Sequence, residues 1–360
     1  MRAMLLAAGV GDRMLPLSLT LPKPALPVLG RALALQILHQ LERAGVEEVV
    51  VNLHHHAEKL RSLLVREAGC GIPALHFTHE VEVLGTAGGL RNAAPLLRGA
   101  GPILVRNSDF LADIDIEGLV ESHRASGCLA TLVLAPGRLE YTGVRVDAAG
   151  RVLSLGGDLA PNATPAGPPL LFTGCHVIEP ELLDRIPPAG PSCIVRDVYR
   201  YLIREGTLGS YMHGGYWWEF GTPELFLQGS LELLDLPRLR REAVADPDPV
   251  LQMDRATVAL GAGARLDDDA HLEDRVALGF ACRVGSGTRL RNTVVMPEAW
   301  VGPGCRLDHV VVAPGVELPA GYAARRALIC SNTDAPDDLP ANILRADGLL
   351  VRAIDVPVPE

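Results

Sequence analysis

The sequence predicts an α/β domain with a mostly parallel sheet and helices on both faces, followed by a left-handed parallel β-helix. Two observations carry this prediction. Up to about residue 235, short aliphatic and β-branched runs alternate with segments of helical periodicity, which is the pattern of a Rossmann-like sheet covered on both faces. From about residue 251, aliphatic residues recur every six positions, a period typical of hexapeptide β-helices that fits neither an α-helix nor an alternating strand.

The predicted elements of the first region alternate in type along the chain. They are a strand at Ala3–Ala8, a helix at Leu33–Ala44, a strand at Glu48–Leu53, a helix at Ala57–Glu67, a strand at Ile103–Val105, a helix at Ile116–Ala125 and a strand at Ala130–Leu134. Ligands of such sheets bind beyond the carboxyl ends of the strands. The glycine-containing segment after the first strand and the turn Asn107-Ser108-Asp109 both follow strands, so we expect them to share a site.

The six-residue period defines the second region. Its most regular series is Leu260, Leu266, Leu272, Leu278, Val284 and Leu290. Glycines spread through the region disfavour an amphipathic helix. We therefore predict a domain over 1–235, a linker rich in proline and charge over 236–250, a β-helix over 251–330 and a tail over 331–360.

Composition limits the classes of function. The formal net charge of the 360 residues is −10, which argues against a nucleic-acid partner held by its phosphate backbone. The seven cysteines show no Cys-x-x-Cys spacing and are typical of a reducing compartment. Asp12 and Arg13 interrupt the apolar N-terminus too early for a signal peptide, and no run approaches the roughly 20 apolar residues that span a bilayer. We expect a cytoplasmic protein without a membrane partner.

The N-terminal segment predicts a phosphate site. An apolar strand leads into Leu6–Gly11, where backbone N–H groups near two glycines are suited to cradle phosphate. Arg13 follows, and Lys23 lies between Pro22 and Pro24. The chain has only two lysines, and its other permanently cationic side chains are arginines. A lysine offers phosphate a compact point charge instead of a planar fork, so this one indicates a specific contact.

This segment resembles the nucleotide-binding signature of the sugar-1-phosphate nucleotidyltransferases. The resemblance implies an enzyme that joins a nucleoside triphosphate to a sugar 1-phosphate and releases pyrophosphate, with Mg²⁺ as cofactor. It implies two catalytic residues here: Arg13, which neutralises the departing pyrophosphate, and Lys23, which contacts phosphate oxygens. The nucleotide-binding residues that it implies in this segment are Leu6, Ala8, Gly9 and Gly11.

A second match lies at Glu80–Gly89. It resembles the family's base-recognition loop, in which a glycine-lined turn lets the base approach the backbone. Its Leu-Gly-Thr-Ala-Gly sequence most resembles that of the mannose-1-phosphate guanylyltransferases. Glu82 is the alternative to Glu80 for base recognition, because either carboxylate can accept hydrogen bonds from the N1–H and N2–H₂ donors of guanine. The nucleotide-binding residues implied here are Glu80, Gly85, Thr86 and Gly88.

Two further matches imply metal ligands. Val105–Asp109 resembles the family's Gly-Asp element, which implies that Asp109 is a catalytic residue and a Mg²⁺ ligand, with Ser108 in place of the glycine. Gly215–Pro223 resembles the family's Trp-x-Asp-x-Gly-Thr-Pro element, whose acidic residue is the second metal ligand and is here Glu219. Glutamate carries one more methylene than aspartate, so it places this carboxylate differently.

The sugar side of the family's site is matched less completely. Tyr141–Val144 and Phe172–Val177 resemble its sugar-contacting segments. They imply sugar-binding roles for Gly143, Thr173 and Gly174. The family's sugar-phosphate lysine has no counterpart, since the last lysine of the chain is Lys59. The arginines that remain open as its replacement are Arg145, Arg151 and Arg196.

The resemblance favours GTP and mannose 1-phosphate, or a related hexose or heptose phosphate, as substrates. The alternatives are a UTP-dependent sugar-1-phosphate uridylyltransferase and a catalytically weak paralogue that senses a nucleotide-sugar. Ser108, Glu219 and the missing lysine favour that paralogue. An acyltransferase, an activity that hexapeptide β-helices often carry, is disfavoured because His271 and His309 are isolated. We expect the β-helix either to mediate contacts between subunits of a homo-oligomer or to close over the catalytic unit.

Overall fold

The computed structural model describes the chain as two compact units. The described residues are 1–67, 71–99, 101–137, 143–157, 159, 163–237, 250–253, 255–333 and 335–355. The first unit comprises Met1–Val10 and the described part of Ile37–Trp217, and the second comprises Gly11–Gln36 and the described part of Trp218–Glu360. Residues 238–249 of the predicted linker lie outside the described residues, as do Tyr141 and Thr142 of the predicted sugar segment.

Thirteen described strands precede residue 220. They are β1 (Arg2–Leu6), β2 (Pro27–Val28), β3 (Arg31–Ala32), β4 (Glu48–Leu53), β5 (Ala74–His79), β6 (Ile103–Asn107), β7 (Phe110–Ala112), β8 (Ala130–Pro136), β9 (Gly143–Val146), β10 (Val152–Leu155), β11 (Leu170–Ile178), β12 (Leu208–Met212) and β13 (Trp217–Glu219).

The α-helices agree with the predicted ones where the apolar period is strong. They are α1 (Leu33–Arg43), α2 (Ala57–Arg66), α3 (Gly85–Leu97), α4 (Ile116–Ser126), α5 (Arg200–Glu205) and α6 (Pro223–Glu232). Among the described residues, no helix is long and apolar enough to cross a membrane.

A nine-stranded mixed sheet organises the first unit. Its main path is β10-β9-β11-β6-β1-β4-β5, with β8 joined to β11 and β12 joined to β8. Strands β5, β4, β1 and β6 are parallel, whereas β11 is antiparallel to β6, β8 and β9. The prediction of a mostly parallel sheet is therefore wrong for the pairings of β11 and of β9 with β10, whereas β12 is parallel to β8. Short turns allow antiparallel pairing there, as between β9 and β10, where the Gly150 N–H donates to the Asp147 carbonyl at 3.1 Å.

The order of the parallel strands creates a switch point at β1. The chain pairs β4 with one edge of β1 and later pairs β6 with the other edge. Loops that leave the carboxyl ends of strands on either side of such a point diverge and leave a crevice for a ligand. The loop after Leu6 and the turn after Asn107 start there, and these two residues are register partners.

Helix α3 covers one face of the parallel strands. Its buried residues Ala87, Leu90, Ala93 and Leu97 recur at helical spacing and belong to the same apolar cluster as Met4, Val50 and Val105 of the sheet. The sequence pattern predicts no helix here, because the glycines and Pro95 obscure its period.

Twelve strands follow the segment outside the described residues. They are β14 (Val250–Met253), β15 (Ala256–Leu260), β16 (Arg265–Leu266), β17 (His271–Leu278), β18 (Arg283–Val284), β19 (Arg289–Val295), β20 (Trp300–Val301), β21 (Arg306–Val312), β22 (Glu317–Leu318), β23 (Ala323–Ser331), β24 (Ile343–Ala346) and β25 (Leu349–Ala353).

These strands alternate between two sheets of the second unit. Strands β15, β17, β19, β21 and β23 stack in parallel in one sheet, and the two-residue strands β16, β18, β20 and β22 stack in parallel in the other. Val258 pairs with Val276, three hexads further on, and Leu290 pairs with Leu307, one residue short of three hexads. Residues that stack in successive layers are thus three six-residue repeats apart, and after the slip this spacing is one residue shorter, as in the pairs Arg289–Arg306 and Arg306–Ala323.

The C-terminal tail ends in a hairpin. Strand β25 pairs antiparallel with both β24 and β23, and Leu350 and Ile354 are buried. The segment at 343–354 therefore packs against the stacked strands of its own unit.

Candidate functional site

The loop after β1 presents unused backbone donors. The Ala7 N–H donates to Asn52 Oδ1 at 2.8 Å, but the N–H groups from Gly9 to Arg13 have no acceptor among the described residues. Gly9, Val10, Asp12 and Arg13 are exposed. Gly11 has φ +82°, a left-handed conformation that glycine adopts without strain, and it starts the 3₁₀ turn Asp12–Met14. This is the geometry of a loop that binds an anion through its backbone.

A buried polar link holds the base of this loop. Besides accepting from Ala7, Asn52 at the end of β4 donates through Nδ2 to Glu80 Oε1 at 2.6 Å. Glu80 Oε2 accepts from the Leu84 N–H at 2.9 Å, and the residue is 1% exposed. Asn52 was missed by the sequence analysis, although a polar residue near the end of an apolar strand was a signal.

Glu80 requires a correction. Its carboxylate is buried and bonded internally, so its side chain organises the loop and cannot reach a nucleotide base in this conformation. Glu82 is exposed and remains the acidic candidate in this segment.

The expected glycine-lined turn is a helix start instead. Gly85, Thr86 and Gly88 lie in the first turn of α3, where the Ser192 carbonyl accepts from the N–H groups of Ala87 at 2.9 Å and Gly88 at 3.2 Å. A Cβ on Gly85, at φ +73°, would lie 2.6 Å from that carbonyl oxygen. The glycine is therefore needed for close packing of two backbones. The Thr86 hydroxyl accepts from the Ile194 N–H at 2.9 Å, so it too is used internally.

The turn after β6 is tied to the loop after β1. Both the N–H and the hydroxyl of Ser108 donate to the Leu6 carbonyl, at 3.2 and 2.7 Å. The backbone of Ser108 lies outside the left-handed region, which explains why serine is accepted in place of glycine. Asp109 follows, half-buried. The first unit therefore brings the two loop starts together, as predicted from their positions after strands.

In the second unit, Arg13 and Glu219 form an ion pair. Arg13 Nη2 lies 2.8 Å from Glu219 Oε1, and the glutamate side chain is 11% exposed against 60% for the arginine. A Cβ on Gly221 would collide with the Glu219 carboxylate and approach Arg13 Nη2 to 3.0 Å. Thr222 then caps α6 by accepting from the Leu225 N–H at 3.3 Å, and Pro223 begins the helix. The Gly-Thr-Pro sequence thus leaves room for the pair and starts the helix behind it.

Lys23 lies on a backbone that the prolines fix. Pro22 is extended, with φ −65° and ψ 142°, and Lys23 begins a 3₁₀ turn that ends at Ala25. The Ala25 N–H donates to the Pro22 carbonyl at 2.8 Å. The side chain of Lys23 is half-buried.

Two of the predicted sugar residues, Thr173 and Gly174, lie at an irregularity in the pairing of β11 with β8. The Thr173 hydroxyl donates to the Val133 carbonyl at 2.9 Å and accepts from the Cys175 N–H at 3.2 Å, and Thr173 is 2% exposed. A direct sugar contact from this hydroxyl is therefore corrected to a structural role. Gly174 has φ +84°, and a Cβ there would lie 2.8 Å from Asn107 Nδ2. Gly143 begins β9, where a Cβ would lie 2.7 Å from Pro169 Cβ.

The three candidate arginines differ in their partners. Arg151 donates to the Gly206 carbonyl. Arg196 forms an ion pair with Asp197 at 3.1 Å. This pair and a hydrogen bond from the Cys193 backbone lower the pKa of the Asp197 carboxyl to about 2. Arg145, on β9, has neither an ion pair nor a hydrogen bond from its side chain within the described ranges. Of the three, it is the cation still available to an anionic ligand.

Comparison with known proteins decides the family. Residues 2–235 match the family described as "Nucleotidyl transferase". The chain belongs to the nucleotidyl transferase family. Mannose-1-phosphate guanylyltransferase of Mycobacterium tuberculosis is 30% identical over 311 residues, which cover 85% of this chain and 83% of that protein.

Solved structures of low sequence identity share the fold of this nucleotidyltransferase. HddC from Yersinia pseudotuberculosis, complexed with GMP-PN, has a TM-score of 0.54 at 19% identity and covers 64% of this chain and 99% of its own. A putative glucose-1-phosphate thymidylyltransferase from Bacillus anthracis, in complex with a sucrose, has a TM-score of 0.56 at 21% identity and covers 65% and 94%.

The carboxylate of Asp109 is of a kind that suits a cation bound together with substrate. In the part of the chain that the structure describes, no group of three or more histidine, cysteine, aspartate or glutamate side chains is placed to hold a metal ion. Mg²⁺ is commonly held by one or two carboxylates together with phosphate oxygens and water, so a half-buried Asp109 at a strand end suits it. The Glu219 carboxylate accepts from the Arg13 guanidinium in this structure.

Two buried titratable residues were missed by the sequence analysis. Arg106, next to the Asn107 turn, is 1% exposed, and its guanidinium lies 4.7 Å from the Phe110 ring centroid; burial lowers its pKa to about 10. His176 of β11 stacks on Phe172 with 5.5 Å between ring centroids, and burial lowers its pKa to about 3. Both residues are therefore structural. Their positions in strands alone gave no sign of their burial.

Proposed function

We propose that this enzyme joins GTP to mannose 1-phosphate, or to a related hexose or heptose phosphate, and releases pyrophosphate. The observation that carries the proposal is the run of unused, mostly exposed N–H donors from Gly9 to Arg13. The guanylyltransferase name of the relative from Mycobacterium tuberculosis supports the choice of substrates.

In the proposed reaction, the protein positions two anions and compensates charge. A phosphate oxygen of the sugar 1-phosphate attacks the α-phosphorus of the triphosphate in line, the bond to the bridging oxygen breaks, and pyrophosphate leaves. The Gly9 and Gly11 N–H groups hold the triphosphate, with the backbone at Leu6 and Ala8 lining the same loop. Arg13 neutralises the leaving pyrophosphate, and Lys23 supplies a point charge to phosphate oxygens.

Asp109 and Glu219 are the proposed acidic ligands of Mg²⁺. When bound, Mg²⁺ supplies positive charge that neutralises phosphate oxygens. Glu219 is paired with Arg13 in the structure, and we propose that the Arg13 guanidinium turns from this carboxylate toward the triphosphate when the nucleotide binds.

Base and sugar recognition are proposed for exposed groups. Glu82 is the proposed acceptor for guanine donors, since Glu80 is buried, and the backbone at Gly85, Thr86 and Gly88 orders the segment that carries it. Arg145 is proposed to replace the family's sugar-phosphate lysine, with Gly143 and Gly174 shaping the neighbouring strands. The alternative is a uridylyltransferase, and a comparison of turnover with GTP and with UTP tests it.

We also propose that the stacked strands over 251–330 form a left-handed β-helix that joins subunits. Size-exclusion chromatography with light scattering tests the homo-oligomer: a monomeric mass at micromolar concentration contradicts it. A cytoplasmic location remains part of the proposal.

Pyrophosphate release across pairs of nucleoside triphosphates and sugar 1-phosphates, with and without Mg²⁺, tests the function. We expect the highest turnover with GTP, Mg²⁺ and mannose 1-phosphate, and Arg145→Met should raise the KM for the sugar phosphate alone. No turnover with any pair, together with thermal stabilisation by GDP-mannose, contradicts the enzyme and favours a sensor. The Arg13–Glu219 pair and the missing lysine are the observations that favour this second candidate.

Asp109→Asn tests the metal ligand in the same assay. We expect turnover to fall at least about 100-fold, because a neutral amide binds a hard cation poorly, while the melting temperature stays near that of the wild type. Asp184→Asn is the matched control, since Asp184 is an exposed carboxylate paired with Arg98. Equal turnover in both variants contradicts the role of Asp109.

A further inference from the structure

Within the second unit, a residue near the C-terminus donates hydrogen bonds to the turn that carries Arg13. Arg352, on β25, donates through Nη1 to the carbonyl oxygens of Arg13 at 2.9 Å and of Leu15 at 2.6 Å. One guanidinium nitrogen thus bridges two carbonyls of the turn that carries Arg13.

The backbone of the turn leaves these two carbonyls for an external donor. The 3₁₀ turn uses the Gly11 carbonyl, which accepts from Met14 N–H at 2.8 Å, and the Asp12 carbonyl, which accepts from Leu15 N–H at 3.2 Å. Carbonyls at the C-terminal end of a helical turn lack internal donors and carry partial negative charge, so a cation there is favourable. Arg352 supplies both the donors and the charge.

Arg352 is itself held on a paired strand. It is the register partner of Leu328 on β23 and of Ile343 on β24, and the hairpin is anchored by the buried Leu350 and Ile354. Its guanidinium therefore extends from a strand that is paired on both edges, not from a free chain end.

Arg13 is consequently fixed at both ends. Its carbonyl is held by Arg352 and its guanidinium by Glu219. Moving the guanidinium to a phosphate breaks the second contact but leaves the first one intact, so the backbone stays in place while the side chain turns.

We propose that Arg352 is a positioning residue for nucleotide binding. By fixing the turn at Asp12–Leu15, it holds the Arg13 side chain and the unused N–H groups of Gly11 to Arg13 in the conformation that meets the triphosphate. The C-terminal hairpin is thereby a functional part of the nucleotide site. This inference rests on the proposed function for its kinetic consequence, but the contact itself is testable without any substrate.

Arg352→Met tests the kinetic consequence, because methionine keeps an apolar stem and removes the donors. We expect kcat/KM for the triphosphate to fall about 10- to 100-fold, as small displacements of a positioning group do, with an unchanged KM for the sugar phosphate. Arg352→Lys should recover most of the loss, since one ammonium can donate to both carbonyls. Arg345→Met is the matched control: Arg345 lies on the same hairpin and bonds to Asn332 and Pro336, away from the turn.

A double variant separates positioning from general stabilisation. If Arg352 acts through Arg13, Arg352→Met should lower kcat/KM much less in an Arg13→Ala background than in the wild type. Additive losses, a lower melting temperature and a rise of KM for both substrates would overturn the proposal, because they indicate a structural role only.

Amide hydrogen exchange in the absence of substrates provides the independent readout. We expect faster exchange in a peptide spanning 11–15 in Arg352→Met, but neither in Arg352→Lys nor in Arg345→Met. Unchanged exchange in Arg352→Met overturns the proposal. If the wild type turns over no substrate pair, the proposed function fails, while the exchange measurement still decides whether Arg352 orders the turn.

Discussion

At the scale of single residues, burial decides which polar side chains are structural. Glu80 and Thr173 both match family positions for ligand contact, yet each is at most 2% exposed and bonded internally. Glu82 and Arg145 match the family's motifs less directly, but in the described portion of the chain their side chains form no hydrogen bond or ion pair. A motif therefore identifies a segment, and burial then assigns roles within it.

His176 gives the fold a dependence on acid. Its pKa is held at about 3, below the ordinary 6.5, so the unfolded chain takes up a proton in a pH range where the folded protein does not. Stability should therefore be unaffected by this residue above about pH 6.5 and fall as the pH drops toward 3. At about 1.36 kcal/mol per unit, the loss between about pH 7.5 and pH 5 is about 2 kcal/mol.

His176→Phe should remove that part of the pH dependence, because a phenyl ring keeps the stacking on Phe172 and cannot be protonated. Urea unfolding of wild type and variant at both pH values measures it, with His79→Phe, at an exposed histidine of β5, as the control. The same loss of unfolding free energy in the wild type and in His176→Phe would show that His176 is not the acid-sensitive group.

At the scale of elements, the start of α3 depends on close contact between two backbones. The Ser192 carbonyl receives the first N–H groups of the helix, and Gly85 allows it to approach. This contact joins helix α3 to the loop at Ser192, which lies more than a hundred residues later in the chain.

Gly85→Ala should be strongly destabilising. The left-handed backbone costs an alanine about 1–2 kcal/mol, and the collision with the Ser192 carbonyl adds to it, for a total of roughly 2–4 kcal/mol. Gly127→Ala is the matched control, because Gly127 also has positive φ, at the end of α4, but a methyl group added there would meet no atom within 4 Å. Thermal or urea unfolding compares them, and equal losses would mean that the backbone contact is unimportant.

At the scale of the whole molecule, the compact units do not follow the order of the sequence. Gly11–Gln36 and the segment from Trp218, which carry Arg13, Lys23 and Glu219, group with the stacked C-terminal strands. Within that unit, α6 packs against β17, β19 and β21. Part of the sequence that matches the family, helix α6, therefore depends on the C-terminal strands for its packing.

A fragment ending at residue 235 should consequently be unstable. It exposes α6 side chains such as Phe226 and Leu231, whose burial stabilises by roughly 1.5–3 kcal/mol each, and we expect its melting temperature to fall by at least about 10 °C relative to the full chain. Circular dichroism of both proteins measures this. A fragment that melts with the full chain and retains turnover would show that the first 235 residues fold independently.

Local patterns in the sequence predicted a large part of the fold. The alternation of strand and helix found β4 and α4 nearly to the residue, and the six-residue period found the residues that stack in the C-terminal strands. Strands β9, β10 and β12 were missed because they have only four or five residues each and lie near glycines. Helix α3 was missed because four of its thirteen residues are glycine or proline.

The sequence by itself determined the glycine-containing loop after β1, the proline-fixed turn at Lys23 and the layered C-terminal strands, because these follow from periodicity and backbone restrictions over a few neighbouring residues. Only the tertiary structure decided that Glu80 faces inward, that Arg13 pairs with Glu219 and that Arg352 holds the turn. Each of these contacts joins residues far apart in the chain, and strand order and register, which no local pattern encodes, bring them within hydrogen-bonding distance.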